Sequence, residues 1–160
     1  MEQFDIAICG FGPVGSTFAG LMGKLGHRVL VIEKNSGPSP TARAINTDGE
    51  QLRTFDRLNI AEKVVENSAE VHRVHFGDAD LNPIQTIDQP VGVSSMGWPT
   101  QVLFYQPELE GFIRSAVAKD SNITLKEDTE LIDFEDTEEG VSLKCVSCLL
   151  YTSPSPRDRG

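Results

Sequence analysis

The chain opens on an apolar run, Phe4-Asp5-Ile6-Ala7-Ile8-Cys9, which is strand-length and gives way at once to glycines. Gly10, Gly12 and Gly15 lead into the helical stretch Ser16 to Met22, which Gly26 can close, and a second apolar strand over residues 27–32 ends at Glu33. After a turn-rich link at 35–41 the spacing becomes helical: Leu52, Phe55 and Leu58 share a face, and Thr47 with Glu50 has the capping-box spacing. Asn59 can end that helix, and Ala61–Glu66 follow as a shorter one. From 71 to 100 the period shortens and Pro83, Pro90 and Pro99 interrupt it, which predicts strands and loops. Leu109, Phe112, Ile113, Ala116 and Val117 then mark one buried helix face behind Pro107. Glu108 and Glu110 are placed to complement the helix dipole at its start and Lys119 at its end. Strands are expected at 123–126, 130–134 and 141–146, the last two joined by a hairpin turn at 138–140.

Strand, glycine turn, helix, strand, then helices and a late antiparallel meander make an α/β or mixed α/β chain. The first turn reads G-x-G-x-x-G. Gly10 permits a tight bend, Gly12 removes the Cβ that would hold a phosphate away from the backbone, and Gly15 lets the helix approach the strand, with Pro13 and Val14 completing the loop. Unpaired N–H groups at the helix start favour an anion there, so this is a dinucleotide pyrophosphate site, with an ordinary glycine-rich turn as the competing reading. Glu33, followed by Lys34, stands where a carboxylate can accept from both ribose hydroxyls and would repel a 2′-phosphate. That selects FAD or NAD(H) over NADP(H); a solvated strand-end carboxylate is the alternative.

Twenty-four acidic against fourteen basic residues leave a net charge of −10, which argues against nucleic acid and anionic membranes as partners. Cys9 is expected as a buried thiol in the first strand, and the cysteines show neither disulfide nor metal spacing. His72 and His75 fall on opposite faces of a strand-like run, which argues against a shared metal. With no basic start, signal-like core or membrane-length apolar run, a cytoplasmic protein is expected. Residues 148–160 read instead as translated sequencing adapter, from Cys148-Leu-Leu-Tyr onward, with a Ser/Pro-rich linker as the other reading. Arg157, Arg159 and Asp158 contribute +1, so the part before the tail carries −11. Residues 1–147 are thus expected to be the N-terminal part of a longer protein.

Taken together, Gly10 to Gly15, Glu33, Arg43-Ala44, Asp48, Leu52-Arg53-Thr54, Gly97-Trp98-Pro99 and Gln106-Pro107 resemble the FAD-dependent aromatic-ring monooxygenases, the single-component flavoprotein hydroxylases. The resemblance covers 4 to about 147 and implies a Rossmann-like FAD-binding fold of the flavoprotein hydroxylase type, truncated here. It implies FAD as cofactor, NADH or NADPH as electron donor and O2 as co-substrate, acting on a small aromatic, phenolic substrate. It further implies that Gly10, Gly12 and Gly15 hold the FAD diphosphate, that Glu33 binds the adenosine ribose, that Pro13, Val14 and Lys34 are also cofactor-binding residues, and that Arg43 reaches the diphosphate or lies near where the nicotinamide donor docks. Gln106 would hydrogen-bond the flavin ribityl chain, and Asp48 would be an active-site carboxylate; a helix-dipole role for Asp48 stands beside it. Trp98 would line the substrate cavity or pack in the core. The family's Asp-Gly and Gly-Asp motifs would fall beyond Ser147, and at full length a homo-oligomer is allowed. Ala42 departs from the proline that many relatives have before the matching arginine. Another FAD- or NAD-dependent oxidoreductase, or an inactive nucleotide-binding fragment, remain alternatives.

Overall fold

A computed structural model describes residues 2–38 and 41–148, so residues 149–160, nearly all of the expected adapter tail, lie outside it. In chain order the elements are β1 (Ile6–Cys9), α1 (Pro13–Lys24), β2 (Val29–Ile32), β3 (Asn46–Asp48), α2 (Gly49–Arg57) and α3 (Ala61–Glu66). They continue with β4 (Ala69–Glu70), β5 (Arg73–Gly77), β6 (Pro83–Asp88), β7 (Gln101–Leu103), α4 (Gln106–Val117), β8 (Ile123–Lys126), β9 (Thr129–Thr137) and β10 (Gly140–Ser147). The expected α/β class holds.

β2 is the middle of a parallel sheet ordered β1-β2-β8, with Ile6 opposite Val29 and Val29 opposite Ile123. All four residues of β2 are buried, as a short, wholly apolar run in a parallel sheet should be. β1 alternates instead: Ile6 and Ile8 pack against the core, while Ala7 and Cys9 are exposed. Cys9 is therefore not the buried thiol expected, because it lies on the uncovered face of an outer strand.

A second sheet, β3-β7-β4, is antiparallel, and β5-β6 and β9-β10 are separate hairpins. The core gathers Phe11, Ala19, Val29, Val31, Leu52, Phe55, Leu58, Val64, Val102, Leu109, Ile113 and Val117. It thus lies between the parallel sheet and the four helices. Close packing of α1 explains two glycines that carry no phosphate argument. A Cβ on Gly20 would meet Leu58 at 2.9 Å, and one on Gly23 would meet Asp120 at 2.7 Å.

Two helix boundaries differ from expectation. α2 is capped by Asp48, whose Oδ1 accepts the Gln51 N–H at 2.8 Å, while Thr47 belongs to β3. Aspartate caps by the same geometry as threonine, and strand pairing of Asn46 to Asp48 with β7 takes Thr47 out of contention. In α4, Glu110 is buried rather than set at the helix start as a dipole partner, and the cation of its last turn is Arg114 rather than Lys119. The closing hairpin is longer than expected, with Thr137 opposite Gly140 and a bulge between Lys144 and Cys145.

Candidate cofactor site

The parallel sheet and α1 bring the glycine turn and the tip of β2 together. Gly10 has φ of 104°, a left-handed conformation that side chains resist, and its N–H donates to Ile32 O at 2.8 Å. Gly15 is required by proximity: a Cβ there would stand 2.1 Å from Gly10 O. Gly12 differs, since a Cβ at that position would meet nothing within 4 Å. The space beside Gly12 is open.

α1 begins at that opening with no side-chain cap and no acidic residue in its first turn. Its early N–H groups are left for an acceptor from outside, which is the arrangement that suits a diphosphate. Pro13 occupies the first turn, where a missing N–H costs nothing. Val14 is 84% exposed beside it.

Glu33 closes the other side of the turn. Its Oε2 accepts the Phe11 N–H at 2.8 Å, and its Oε1 accepts the backbone N–H of Asn35 at 2.8 Å and its Nδ2 at 3.0 Å. Partial burial pushes its pKa up, but the Phe11 and Asn35 hydrogen bonds and the nearby Arg114 charge outweigh that and hold it below the usual carboxylate value. Glu33 therefore stays ionised, with oxygen lone pairs to spare for hydroxyl donors. Lys34 is exposed next to it. On these residues a dinucleotide fits: an open approach to backbone, an uncapped helix start and an ionised acceptor at the strand tip.

A second group forms along β3 and β7. Phe104 N–H donates to Ile45 O at 2.9 Å, and the Gln106 Oε1 accepts from Arg43 N at 2.6 Å and Ala44 N at 2.8 Å. Gln106 Nε2 donates to Glu110 Oε1 at 2.8 Å, and both side chains are buried. Gln106 thus fixes the backbone of the 43–44 loop, and any ribityl contact would share its amide with these bonds. The Arg43 side chain is exposed. Asp48, also exposed, lies at the end of β3, in a different sheet from the glycine turn's strand. Trp98 is half-buried against the core.

Sequence reading named Gln106 and Glu110 in other roles and missed Arg114. Gln106, Glu110 and Arg114 follow one another at spacing four, a polar stripe beside the apolar face of α4. Arg114, its side chain 16% exposed, pairs with Glu127 Oε1 at 2.7 Å, donates to Gly37 O at 2.8 Å and lies 4.6 Å from the Phe11 ring centroid. The unbroken stripe at i, i+4 and i+8 was the available signal. Among the described residues no cluster of three or more His, Cys, Asp or Glu could hold a metal, and His75 bonds Thr86 across its hairpin at 2.9 Å.

The architecture and the glycine turn define an α/β domain of the FAD-binding kind. The chain matches the family of FAD binding domains over residues 3–147, and it belongs to that family. It is 26% identical over 140 residues to a 3-(3-hydroxy-phenyl)propionate/3-hydroxycinnamic acid hydroxylase of Mycobacterium sp. (strain JLS), covering 88% of this chain and 24% of that protein. It is 31% identical over 143 residues to a probable NADH-specific resorcinol 4-hydroxylase of Rhodococcus jostii (strain RHA1), covering 86% of this chain and 26% of the relative. The chain spans about a quarter of the length of these curated relatives. In fold it resembles the flavin-dependent monooxygenase PieE, solved with FAD and substrate (TM-score 0.77, 22% identity, 91% of this chain and 27% of that one). It also resembles p-nitrophenol 4-monooxygenase PnpA from Pseudomonas putida DLL-E4 (TM-score 0.73, 21% identity, 88% and 38%). Its structural neighbours include flavin-dependent monooxygenases and a Diels-Alderase. Among the described residues no helix is long and apolar enough to cross a membrane.

Proposed function

We propose that residues 1–147 are the N-terminal part of the FAD-binding domain of a single-component monooxygenase that hydroxylates a phenolic ring with NADH or NADPH and O2. Residues 148–160 are then adapter-derived, a division supported by the end of the family match at residue 147. The observation that carries the reading is the ionised Glu33 tied to the glycine turn at the uncapped start of α1. The names of the curated relatives support a phenolic substrate.

In this reading Gly10, Gly12, Pro13, Val14 and Gly15 receive the diphosphate, and Glu33 with neighbouring Lys34 takes the adenosine ribose. Arg43 offers a planar fork to phosphate oxygens, its backbone held by Gln106. FAD bound there would supply the oxygen-activating chemistry, and the protein would position the ring and exclude water. Asp48 is the candidate active-site carboxylate, acting near the ring while it also caps α2.

The test uses the chain extended to the length of its relatives, with FAD, NADH or NADPH, and a phenolic acid under ¹⁸O2. One labelled oxygen should enter the ring; label arriving from water would overturn the monooxygenase reading. Asp48→Ala should slow hydroxylation or divert reducing equivalents to H2O2 with FAD still bound. A loss of thermal stability alone would leave Asp48 as a helix cap and nothing more.

A further inference from the structure

We propose that Arg114 and Glu127 form a clamp on the backbone of Gly37 that holds the loop after Glu33 against the glycine turn and so sets affinity for the adenosine half of the nucleotide. This rests on the dinucleotide reading of that turn. Arg114 comes from α4, Glu127 from the turn between β8 and β9, Gly37 from the loop after β2, and Phe11 from the glycine turn itself. Four separate stretches of chain meet at one guanidinium.

The geometry is closed on both sides of one residue. Gly37 N–H donates to Glu127 Oε1 at 3.0 Å, and Gly37 O accepts from Arg114 Nη2 at 2.8 Å. Arg114 Nη1 completes the ring through Glu127 Oε1 at 2.7 Å. Both polar groups of Gly37 are thereby satisfied by side chains from distant elements, although the loop has no sheet partner there. Arg114 also lies against the buried Phe11 ring, whose own N–H is held by Glu33. Glu33 and Arg114 thus grip one residue of the glycine turn from two sides.

Arginine suits this role because its fork reaches two acceptors at fixed spacing. A lysine ammonium keeps the charge but serves as a point donor without that fork. The Nε of Arg114 is buried and has no partner among the described residues, a cost that the Nη contacts must offset. Such a cost is hard to explain for an arginine that merely decorates a helix.

The experiment compares the chain with Arg114→Lys, Arg114→Met and Glu127→Gln, reading amide hydrogen exchange at Gly37 and Phe11 together with ADP affinity by calorimetry. Arg114→Met should speed exchange at Gly37 and weaken ADP binding by about tenfold or more, the scale of a lost charged hydrogen bond, while amides within β2 and α4 keep their protection. Arg114→Lys should retain the unfolding midpoint more closely yet still bind ADP more weakly, and Glu127→Gln, which keeps an acceptor for Gly37 N–H, should fall between. Unchanged ADP affinity in Arg114→Met, or faster exchange spread evenly over β2 and α4, would overturn the clamp and leave the dinucleotide site intact. If the unaltered chain fails to bind ADP at all, the dinucleotide reading itself falls, and the clamp with it.

Discussion

β2 and β6 are both paired strands, yet every residue of β2 is buried and every residue of β6 is exposed. β2 has a partner on each edge and helices packed nearby, whereas β6 pairs only with β5. The same contrast separates the parallel sheet from the β9-β10 hairpin, where Phe134, Val141 and Val146 remain at the surface. Backbone pairing specifies the course of a hairpin, but burial supplies most of the favourable free energy. The nucleotide half should therefore behave as the stable unit and the hairpins as its dependents.

Ile113→Ala is the strongest way to test that division. Ile113 is fully buried in the core, so its loss should cost about 2–5 kcal/mol in urea unfolding. Next comes Gly15→Ala, where the clash with Gly10 O should cost about 1–3 kcal/mol. Gly12→Ala sharpens the point, since its Cβ enters open space: stability should hold while ADP affinity drops. Equal stability losses at Gly12 and Gly15 would contradict the packing described for the turn.

Smaller effects separate the two groups around the site. Asp48→Ala should remove about 1 kcal/mol, and Asp48→Asn should keep most of it because asparagine also caps. Glu33→Gln should show its effect through pH. Because the folded carboxylate titrates below its ordinary value of 4.5, its contribution is full above that pH and is lost as the pH falls through the folded value. The stability gap between Glu33→Gln and the parent chain should thus be present at pH 7 and narrow in acid, as chemical denaturation at both pH values would show. Phe134→Ala, at a residue 65% exposed, should change stability by less than about 0.5 kcal/mol. A larger loss there would mean that the hairpin is supported by contacts its exposure hides.

The elements that were plain in the sequence are those where local pattern and tertiary need agree. Residues 123–126 and 61–66 fall where expected, and α4 follows its apolar stripe from Leu109 to Val117. Failures came where a distant partner decided. Thr47 had the better capping-box spacing, but pairing with β7 made it a strand residue and passed the cap to Asp48. Cys9 looked like core because its strand is apolar; which face gets covered is not written in the strand. At the site, the glycine turn and Glu33 were legible from spacing alone. The commitment of Gln106 to the 43–44 backbone was not, because it depends on a loop more than sixty residues away in sequence.

Glu33 is already held in place by Phe11 and Asn35 before any ligand arrives. Its rotamer freedom is surrendered during folding, so a nucleotide need not freeze it again; immobilising such a side chain on association would otherwise cost about 0.5–1.5 kcal/mol. In the proposed reading, this preorganisation ties recognition to chain length at one position. Aspartate could still offer a carboxylate to a ribose, yet it is one methylene too short to keep the glycine turn and the ligand engaged together. Glutamate at 33 is in that sense a spacer as much as a charge.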